Sequence, residues 1–315
     1  MNPTRQYFVT GGAGFIGSTC VDRLIKEHSV TVYDNLCSGK LLYIEHHFSN
    51  RNFRFVQGDT LDLEKMREAM AGHDIVIHFA ANPDISKAMV EPDLDLRQSV
   101  IATFNVLESM RLNRVKRIIY PSGSGVYGDA GDIETAENYG PLLPISMYGA
   151  CKLGAEAIIS AMCNMFGMQA WIFRLANVVG KRQTHGVAFD FIKRLKNTPN
   201  ELRILGDGKQ SKSYIHVDDV LDAIFFVYEK TNDTVNIFNV SGEDYLTVAE
   251  IAEEVIKAMK LSNVNIQYAG GDRGWKGDVP KVRFNIGKIH NLGWYAKYES
   301  KHAMNKSIHE MLGLY

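Results

Sequence analysis

Three glycines at three-residue spacing, Gly11, Gly14 and Gly17, constrain the fold of this 315-residue chain more than any other feature. They follow an apolar run over residues 7–9, which predicts a buried strand, and precede a helical apolar pattern over residues 18–27. In such a strand–turn–helix the first glycine allows the tight turn. The second lets the backbone approach a pyrophosphate, and the third lets helix and strand pack closely. The loop therefore predicts a dinucleotide site at a helix N-terminus.

An acidic residue at the end of the next predicted strand supports this interpretation. Residues 29–34 form an apolar run that ends in Asp34, 17 residues after Gly17. A carboxylate there binds the hydroxyls of the adenosine ribose and repels a 2′-phosphate, which favours NAD over NADP. Two alternatives stay open: Asp34 is only a turn residue, or Lys40 nearby accepts a phosphate.

The first half of the chain alternates predicted strands and helices. The strands are expected over residues 53–59, 74–81, 117–120 and 169–175, and the helices over 63–70, 95–112 and 147–166. This alternation predicts an α/β fold with a doubly wound parallel sheet and a ligand at the carboxyl ends of its strands. Small residues at two strand ends, Gly58 and Ala80–Ala81, would let adenine and ribose lie against the backbone. Ordinary helix–sheet packing explains the alanines equally well.

The pattern loosens after about residue 180. Helices are expected over 187–195 and 246–259, a short strand within 199–208, and irregular structure over 270–280. We predict a Rossmann-like NAD-binding domain over residues 1–180 and a smaller substrate-binding α/β lid formed mainly by 181–315. Late strands from the second half are expected to rejoin the sheet.

Composition excludes several classes of protein. Apolar residues make up 45% and charged residues 23%, which is ordinary for a soluble globular protein, and the net charge is −1. This net charge indicates no excess of basic residues that would bind nucleic acid or an anionic membrane. No metal-ligand or pairing spacing relates Cys20, Cys37, Cys151 and Cys163, so no metal site is predicted and a reduced, cytoplasmic state is expected. No apolar run reaches membrane-spanning length, and no signal-peptide pattern occurs.

A second constellation lies about 130 residues after the glycine loop, at Tyr148 and Lys152. On a helix this spacing places both side chains on one face. The lysine charge lowers the pKa of the phenol from about 10 towards neutrality. Beside a nicotinamide, the resulting phenolate can take a proton from a sugar hydroxyl while hydride leaves the same carbon.

The glycine loop, the sequence Val126-Tyr127-Gly128 and the Tyr148/Lys152 pair occur in an order that resembles the extended short-chain dehydrogenase/reductase family. Within that family the chain is most similar to NAD-dependent nucleotide-sugar epimerases of the UDP-glucose 4-epimerase type. Motifs that continue the resemblance over nearly the whole chain are residues 174–180, 206–208, 214–219 and 277–279.

The resemblance implies a mechanism, a substrate and an assembly. Tyr148 would be the general base at the sugar C4 hydroxyl, and Lys152 would hold the nicotinamide ribose. Tightly bound NAD would take the C4 hydride and return it to the other face of a 4-keto sugar. A UDP-sugar is the expected substrate, and a homodimer is expected through the helices that begin at Asp95 and Met147. The implied cofactor residues are Gly11, Gly14, Phe15, Ile16, Gly17, Asp34, Asn35, Ser38, Gly39, Asp59, Thr60, Ala80, Ala81, Tyr148 and Lys152.

One position departs from the family's pattern. The family carries Ser or Thr four residues before the tyrosine of its V-Y-G motif, and this chain has Gly123 there. Ser122 and Ser124 flank it, but successive strand residues point to opposite faces, so both cannot substitute while the strand continues. We expect Ser124 to do so, because the neighbouring glycines free its backbone. Alternatively, both serines only satisfy backbone groups.

The resemblance also implies substrate contacts, from Asn177, Val187, Lys212, Arg273 and Lys276. Trp275 stands where the family more often has Arg, and it would cover the base or sugar, or only pack.

Three other activities are compatible with this fold. A 4,6-dehydratase needs an Asp-Glu pair directly after its Thr, where this chain has Ser124 and Gly125, which argues against dehydration. A UDP-hexuronate 4-epimerase or decarboxylase stays open. So does a non-catalytic dinucleotide-binding protein, although such proteins usually lose the Tyr or the Lys.

Overall fold

The computed structural model describes residues 4–314, apart from the side chain of Ser86, and divides into two compact units. The first unit comprises the chain up to Ser122, Ala150–Phe173 and Val227–Ile237. The second comprises Gly123–Gly149, Arg174–Phe226 and the chain from Phe238 onward. The assignment of cofactor and substrate to separate domains, with a boundary at residue 180, stays a prediction.

A seven-stranded sheet runs through the described residues in the order β11-β6-β5-β4-β1-β2-β3. Its strands are β1 Gln6–Thr10, β2 Ser29–Asp34, β3 Phe53–Gln57, β4 Ile75–His78, β5 Arg117–Gly123, β6 Gln169–Leu175 and β11 Val235–Val240. The pairings from β3 through β2, β1 and β4 to β5 are parallel. The order reverses beside β1, which begins the chain's first strand–turn–helix, and this confirms the predicted doubly wound α/β fold. The expected return of a late strand is seen in β11.

Shorter strands pair outside the main sheet. They are β7 Asn177–Val179, β8 Glu201–Ile204, β9 Ser211–Lys212, β10 Tyr214–His216, β12 Leu246–Thr247 and β13 Asn265–Tyr268. The helices are α1 Phe15–Leu24, α2 Leu63–Met70, α3 Asp93–Asp95, α4 Ala102–Leu112, α5 Met147–Phe166, α6 Val187–Asn197, α7 Val217–Lys230, α8 Val248–Ala258, α9 Gly287–Asn291 and α10 Ser300–Leu312. Within residues 4–314, no helix is both long and apolar enough to span a membrane.

Each unit has its own apolar core. In the first, side chains from the sheet, such as Phe8 and Ile118, pack with Val106 and Ile159 from the covering helices. In the second, Phe191, Ile251 and Met304 from three helices pack around the short strands. The burial of these side chains is what fixes the helices to the strands that carry the site.

Two predicted helices begin elsewhere in the structure. The first starts at Phe15 instead of Ser18, because Gly14 is extended and directly precedes it, and it ends at Leu24 instead of Glu27. The helix predicted over 246–259 starts at Val248 instead of Leu246. Thr247 accepts a hydrogen bond from the N3 backbone N–H and forms a reciprocal capping box there.

The helix predicted over 95–112 contains a turn with a different period. It begins at Asp93, passes through a π-helical segment, Leu96–Ile101, and continues as α4. A π turn inserts an extra residue and rotates the faces that follow it. Leu107 is accordingly fully buried, whereas Phe104 is 46% exposed.

The ends of three predicted strands also shift. The runs over 53–59 and 74–81 leave the strand at Gln57 and His78, before their small terminal residues. The run over 117–120 instead continues to Gly123.

Candidate functional site

The backbone of the glycine loop leaves no room for a side chain at Gly11 or Gly17. Gly11 has a φ of +66°, and a Cβ on it would lie 2.6 Å from the amide nitrogen of Ala80. A Cβ on Gly17 would lie 2.2 Å from the carbonyl oxygen of Gly11. The N–H of Gly14 donates to that same carbonyl at 3.1 Å. The roles expected for Gly11 and Gly17, tight turning and close packing, match these contacts.

The N-terminus of α1 presents donors directly after the loop. The N–H groups of Phe15, Ile16 and Gly17 lie in its first turn, where an α-helix offers no intrahelical carbonyl. This turn contains no acidic side chain, so the positive end of the helix dipole is not neutralised locally. The backbone thus fits the pyrophosphate of a dinucleotide.

Asp34 joins the end of β2 to this loop. Its buried carboxylate accepts the N–H of Ala13 at 2.9 Å and that of Leu36 at 2.8 Å. Burial raises the pKa of the carboxyl, and the two backbone donors oppose that shift. A Cβ on Gly39 would lie 2.9 Å from Asp34 Oδ1, so the following segment passes close to the carboxylate. The contact of Asp34 with a ribose stays a prediction.

Other residues predicted to bind the cofactor lie at the ends of the neighbouring strands. Asn35 donates through Nδ2 to Asp59 Oδ2 at 2.8 Å, and Asp59 Oδ1 accepts the N–H of Leu61 at 2.9 Å. The Thr60 carbonyl accepts from the Asn105 amide at 3.0 Å. Ser38 is exposed, and Ala80 and Ala81 are partly buried. Together with Asp34, these residues surround the carboxyl ends of β2, β3 and β4.

Lys152 is a buried cation. Its Nζ donates to the Pro121 carbonyl at 3.0 Å and lies 4.7 Å from the centre of the Tyr120 ring. Burial lowers the pKa of the ammonium from 10.5 to about 8, and the charges of Glu156 and Asp95 oppose that shift. A ribose hydroxyl of a bound cofactor would add one further acceptor for this buried ammonium.

Sequence reasoning missed two buried polar groups near Lys152. His78 lies between two hydroxyls, with Nδ1 2.6 Å from Thr10 Oγ1 and Nε2 3.1 Å from Thr103 Oγ1. Burial, followed by the charge of Lys152, lowers its pKa to about 3, so the ring is neutral at physiological pH. The hydrogen bonds of His78 are visible only in the structure, because in the sequence it is one residue of an apolar strand.

Asp95 is the second missed group. Its side chain is fully buried, its Oδ1 accepts from Asn82 Nδ2 at 3.0 Å, and burial raises its pKa. Asn82 also donates to the Asp84 carbonyl at 2.8 Å, so the carboxylate holds the segment that follows Ala81. In the sequence, Asp95 looks like an ordinary acid at a helix start.

Tyr148 and Gly123 are close neighbours. A Cβ on Gly123 would lie 3.7 Å from Tyr148 Oη, which is ordinary van der Waals contact. Gly123 is extended, with φ −156° and ψ 170°, a conformation that any residue adopts. The family's usual serine position therefore faces the phenol in this chain too, although the residue there has no side chain.

The two flanking serines occupy different environments. Ser122 lies in β5, where alternation turns its side chain to the face opposite that of Gly123. Its Oγ is buried and has no hydrogen-bond partner among the described residues. Ser124 begins a 3-10 helix, Ser124–Tyr127, and is partly exposed. The choice between the two serines stays a prediction.

The second unit contains a cavity of about 340 Å³. Among its lining residues are Asn177, Val187 and Lys212, which the sequence predicts for the substrate, and Trp275. Lys212 Nζ lies 2.7 Å from Asp278 Oδ1, so the cation is already paired. The lining also includes Gln183, Arg194 and Asp190, which sequence reasoning did not single out.

Arg273 and Lys276 lie outside that lining. Arg273 donates to Asp129 Oδ2 and to the Asp278 carbonyl, both at 2.7 Å, and Lys276 is exposed. Their expected contact with the substrate stays a prediction, and the Arg273 guanidinium would have to leave two acceptors to form it.

The model of the NAD dependent epimerase/dehydratase family matches residues 7–241. The chain belongs to this family. It is 31% identical to a putative UDP-glucose 4-epimerase of Methanocaldococcus jannaschii, with 96% of this chain and 97% of the relative covered. It is also 34% identical to a dTDP-glucose 4,6-dehydratase of Mycobacterium tuberculosis, over 77% of this chain and 75% of the relative.

The fold comparison agrees with the family assignment. The structure of UDP-glucose 4-epimerase from Thermotoga maritima, solved with UDP-glucose, matches 98% of this chain and 99% of that one, with a TM-score of 0.88 and 30% identity. The expected extended short-chain dehydrogenase/reductase resemblance and the NAD cofactor are thereby confirmed. The glycine cradle and Asp34 fit that cofactor.

Lys152 should make stability depend on pH in a definite direction. Its pKa is about 8 in the folded chain and 10.5 ordinarily, so the unfolded chain binds more protons between these values. The free energy of unfolding of the native chain, relative to Lys152→Met, should therefore rise from pH 8 to pH 10.5. Urea unfolding at several pH values measures it. Lys26→Met, which removes an exposed lysine, is the control, and parallel curves for the native chain and Lys152→Met would contradict the assignment.

Proposed function

We propose that this protein interconverts the C4 epimers of a UDP-sugar, of the UDP-glucose/UDP-galactose type, through a 4-keto intermediate. One observation carries the choice within the family. Ser124 and Gly125 stand where a dehydratase needs its acid and base, and a Cβ at Gly125 would lie 3.8 Å from Tyr148 Cδ1. The segment beside the candidate base thus carries no carboxylate able to remove water from the sugar.

Tyr148 would move the proton. Its phenolate takes the proton of the C4 hydroxyl as the carbonyl forms, and returns it when the alcohol re-forms. Bound NAD would supply both the acceptor and the donor for the C4 hydride. Because both transfers are reversed within one turnover, no net oxidation occurs, and the cofactor does not need to exchange.

Lys152 would hold the nicotinamide ribose and supply a positive charge that favours ionisation of Tyr148. It lies one helical turn after Tyr148 on α5, and its ammonium favours the ionised phenol. Its bond to the Pro121 carbonyl fixes the position of Nζ. The neutral ring of His78 adds no second positive charge near Lys152 at physiological pH.

The cavity of the second unit would hold the nucleotide diphosphate. Lys212 and Asn177 offer a cation and an amide, and Trp275 offers an aromatic face for the base or sugar. The T. maritima epimerase was solved with UDP-glucose, which supports this class of substrate. The Lys212 ammonium would then interact with both Asp278 and the phosphates. This arrangement limits the affinity for the nucleotide sugar and speeds its release.

A substrate panel tests the proposal. Purified protein is incubated separately with UDP-glucose, UDP-N-acetylglucosamine, UDP-glucuronate and dTDP-glucose, and the products are identified by proton NMR. We expect UDP-glucose to give UDP-galactose without added NAD. A 4-keto-6-deoxy product would make the protein a dehydratase, and turnover of UDP-glucuronate alone would make it a hexuronate epimerase or decarboxylase. Bound NAD with no turnover of any sugar would leave a dinucleotide-binding protein.

We also infer a homodimer. The helical segment 93–112 exposes Leu96, Ile101 and Phe104, each more than 40%, and α5 exposes Met165 at 72%. Apolar side chains exposed on one face of a helix are typical of an interface. Sedimentation equilibrium should give twice the chain mass of 35.4 kDa, and Phe104→Glu should shift it towards the monomer. A monomeric native chain at micromolar concentration would contradict the inference.

Restoring the missing hydroxyl should improve catalysis. Gly123→Ser fits the extended backbone and places Oγ within hydrogen-bonding reach of Tyr148 Oη. We expect kcat to rise about tenfold, the effect of one hydrogen bond of roughly 1.4 kcal/mol that strengthens in the transition state. Tyr148→Phe in either background should lower kcat at least about 100-fold while NAD stays bound.

The serines provide the matched control. In the native background Ser124→Ala should cost more activity than Ser122→Ala, and in the Gly123→Ser background that difference should shrink. A Gly123→Ser protein that folds and keeps NAD, but whose kcat is unchanged or lower, would show that a hydroxyl at this position does not assist catalysis.

A further inference from the structure

Two adjacent histidines and an aspartate converge at a place that the proposed reaction does not use. Asp22 lies on α1, and His46 and His47 lie in a 3-10 helix, Glu45–His47. Asp22 Oδ1 is 3.0 Å from His46 Nε2 and 2.7 Å from His47 Nε2. One ligand atom from each of the three residues lies within 4.8 Å of the others.

We propose that Asp22, His46 and His47 bind a divalent transition-metal ion of the zinc class. Two imidazole nitrogens and one carboxylate oxygen form a donor set suited to zinc, nickel, cobalt or copper. Magnesium and calcium prefer oxygen ligands alone. The expectation of no metal rested on the cysteines, and the spacing between Asp22 and the histidines follows no familiar motif.

The distances suit such an ion after a small expansion. Metal–ligand bonds of about 2.1 Å in a tetrahedron separate neighbouring ligand atoms by roughly 3.4 Å. The two contacts with Asp22 Oδ1 are 3.0 and 2.7 Å, so each histidine needs to move by less than about 1 Å. The His46 side chain is 49% exposed, which leaves an open side for a water ligand.

The histidine pair is held in place by packing. The His47 ring lies 5.5 Å from the ring of Phe53, and Phe48 stacks on Phe53 at 5.9 Å. Ile44 is fully buried, and its carbonyl accepts the N–H of His47 at 3.0 Å. Ligands that are positioned before the ion arrives lose little conformational freedom on binding, which favours affinity.

Such an ion would attach the segment from Asp34 to His47 to helix α1. The chain from Asp34 to His47 contacts the glycine loop at one end, where the Lys40 N–H donates to the Ala13 carbonyl at 2.9 Å. At its other end the histidines reach Asp22, near the end of α1. A metal bridge there would close this stretch at both ends, and binding would stabilise the folded chain by mass action.

Zinc titration tests the proposal with a readout independent of activity. All proteins carry Cys37→Ser, which removes the exposed thiol, and are stripped of metal with a chelator before isothermal titration calorimetry with ZnCl2. We expect one ion per chain with a Kd at or below about 10 μM, and no heat with MgCl2. Cobalt should give visible absorption bands typical of nitrogen and oxygen ligands.

Ligand variants decide whether these residues form the site. His47→Ala and Asp22→Asn should each weaken zinc binding at least tenfold, while His185→Ala, which removes an exposed histidine elsewhere, should not. Circular dichroism and retained NAD check that each variant is folded. Absence of stoichiometric zinc binding to the parent protein, or equal affinity in the ligand variants and the His185 control, would overturn the proposal.

Discussion

A single close contact in the glycine loop sets the position of the predicted cofactor site. The α-carbon of Gly17 and the carbonyl oxygen of Gly11 approach so closely that a Cβ would lie 2.2 Å from that oxygen. This contact brings the start of α1 against the end of β1, so the unpaired N–H groups of the helix meet the edge where the parallel strands end. Asp34 reaches the same point because its carboxylate accepts the Ala13 N–H within the loop. This contact and the Ala13–Asp34 hydrogen bond thus bring the predicted phosphate donors and the predicted ribose-binding acid to one place.

The chemistry depends on a charge that is costly to bury. Lys152 is enclosed, and its pKa falls to about 8 because of burial, with Glu156 and Asp95 limiting the fall. In the proposed mechanism this ammonium would favour the ionised form of the Tyr148 phenol, with little screening by water. Asp95 also accepts a hydrogen bond from Asn82, which anchors the segment that follows Ala80 and Ala81. The same carboxylate therefore supports the charge of the lysine and the shape of the adjoining loop.

The fold and the glycine loop could be predicted because they rest on local patterns: strand periodicity, glycine spacing and the acid at the end of β2. Helix α5 and strand β6 have the predicted bounds for the same reason. The π turn after Asp95 could not be predicted, because nothing in the apolar period marks an inserted residue. His78, Asp95 and the Asp22–His46–His47 cluster were missed, since their partners are distant in sequence. The sequence alone shows that Gly123 departs from the family's Ser or Thr. That Gly123 lies close to Tyr148 is visible only in the structure.

Isotope tracing tests the central claim, that hydride leaves C4 of the sugar and returns to C4. UDP-glucose deuterated at C4 is converted by the purified protein, and the product is examined by NMR and mass spectrometry. Our account predicts UDP-galactose that keeps the deuterium at C4, because Ser124 and Gly125 provide no acid or base for water loss from C5 and C6. Deuterium found at C6 of a 4-keto-6-deoxy sugar would contradict it.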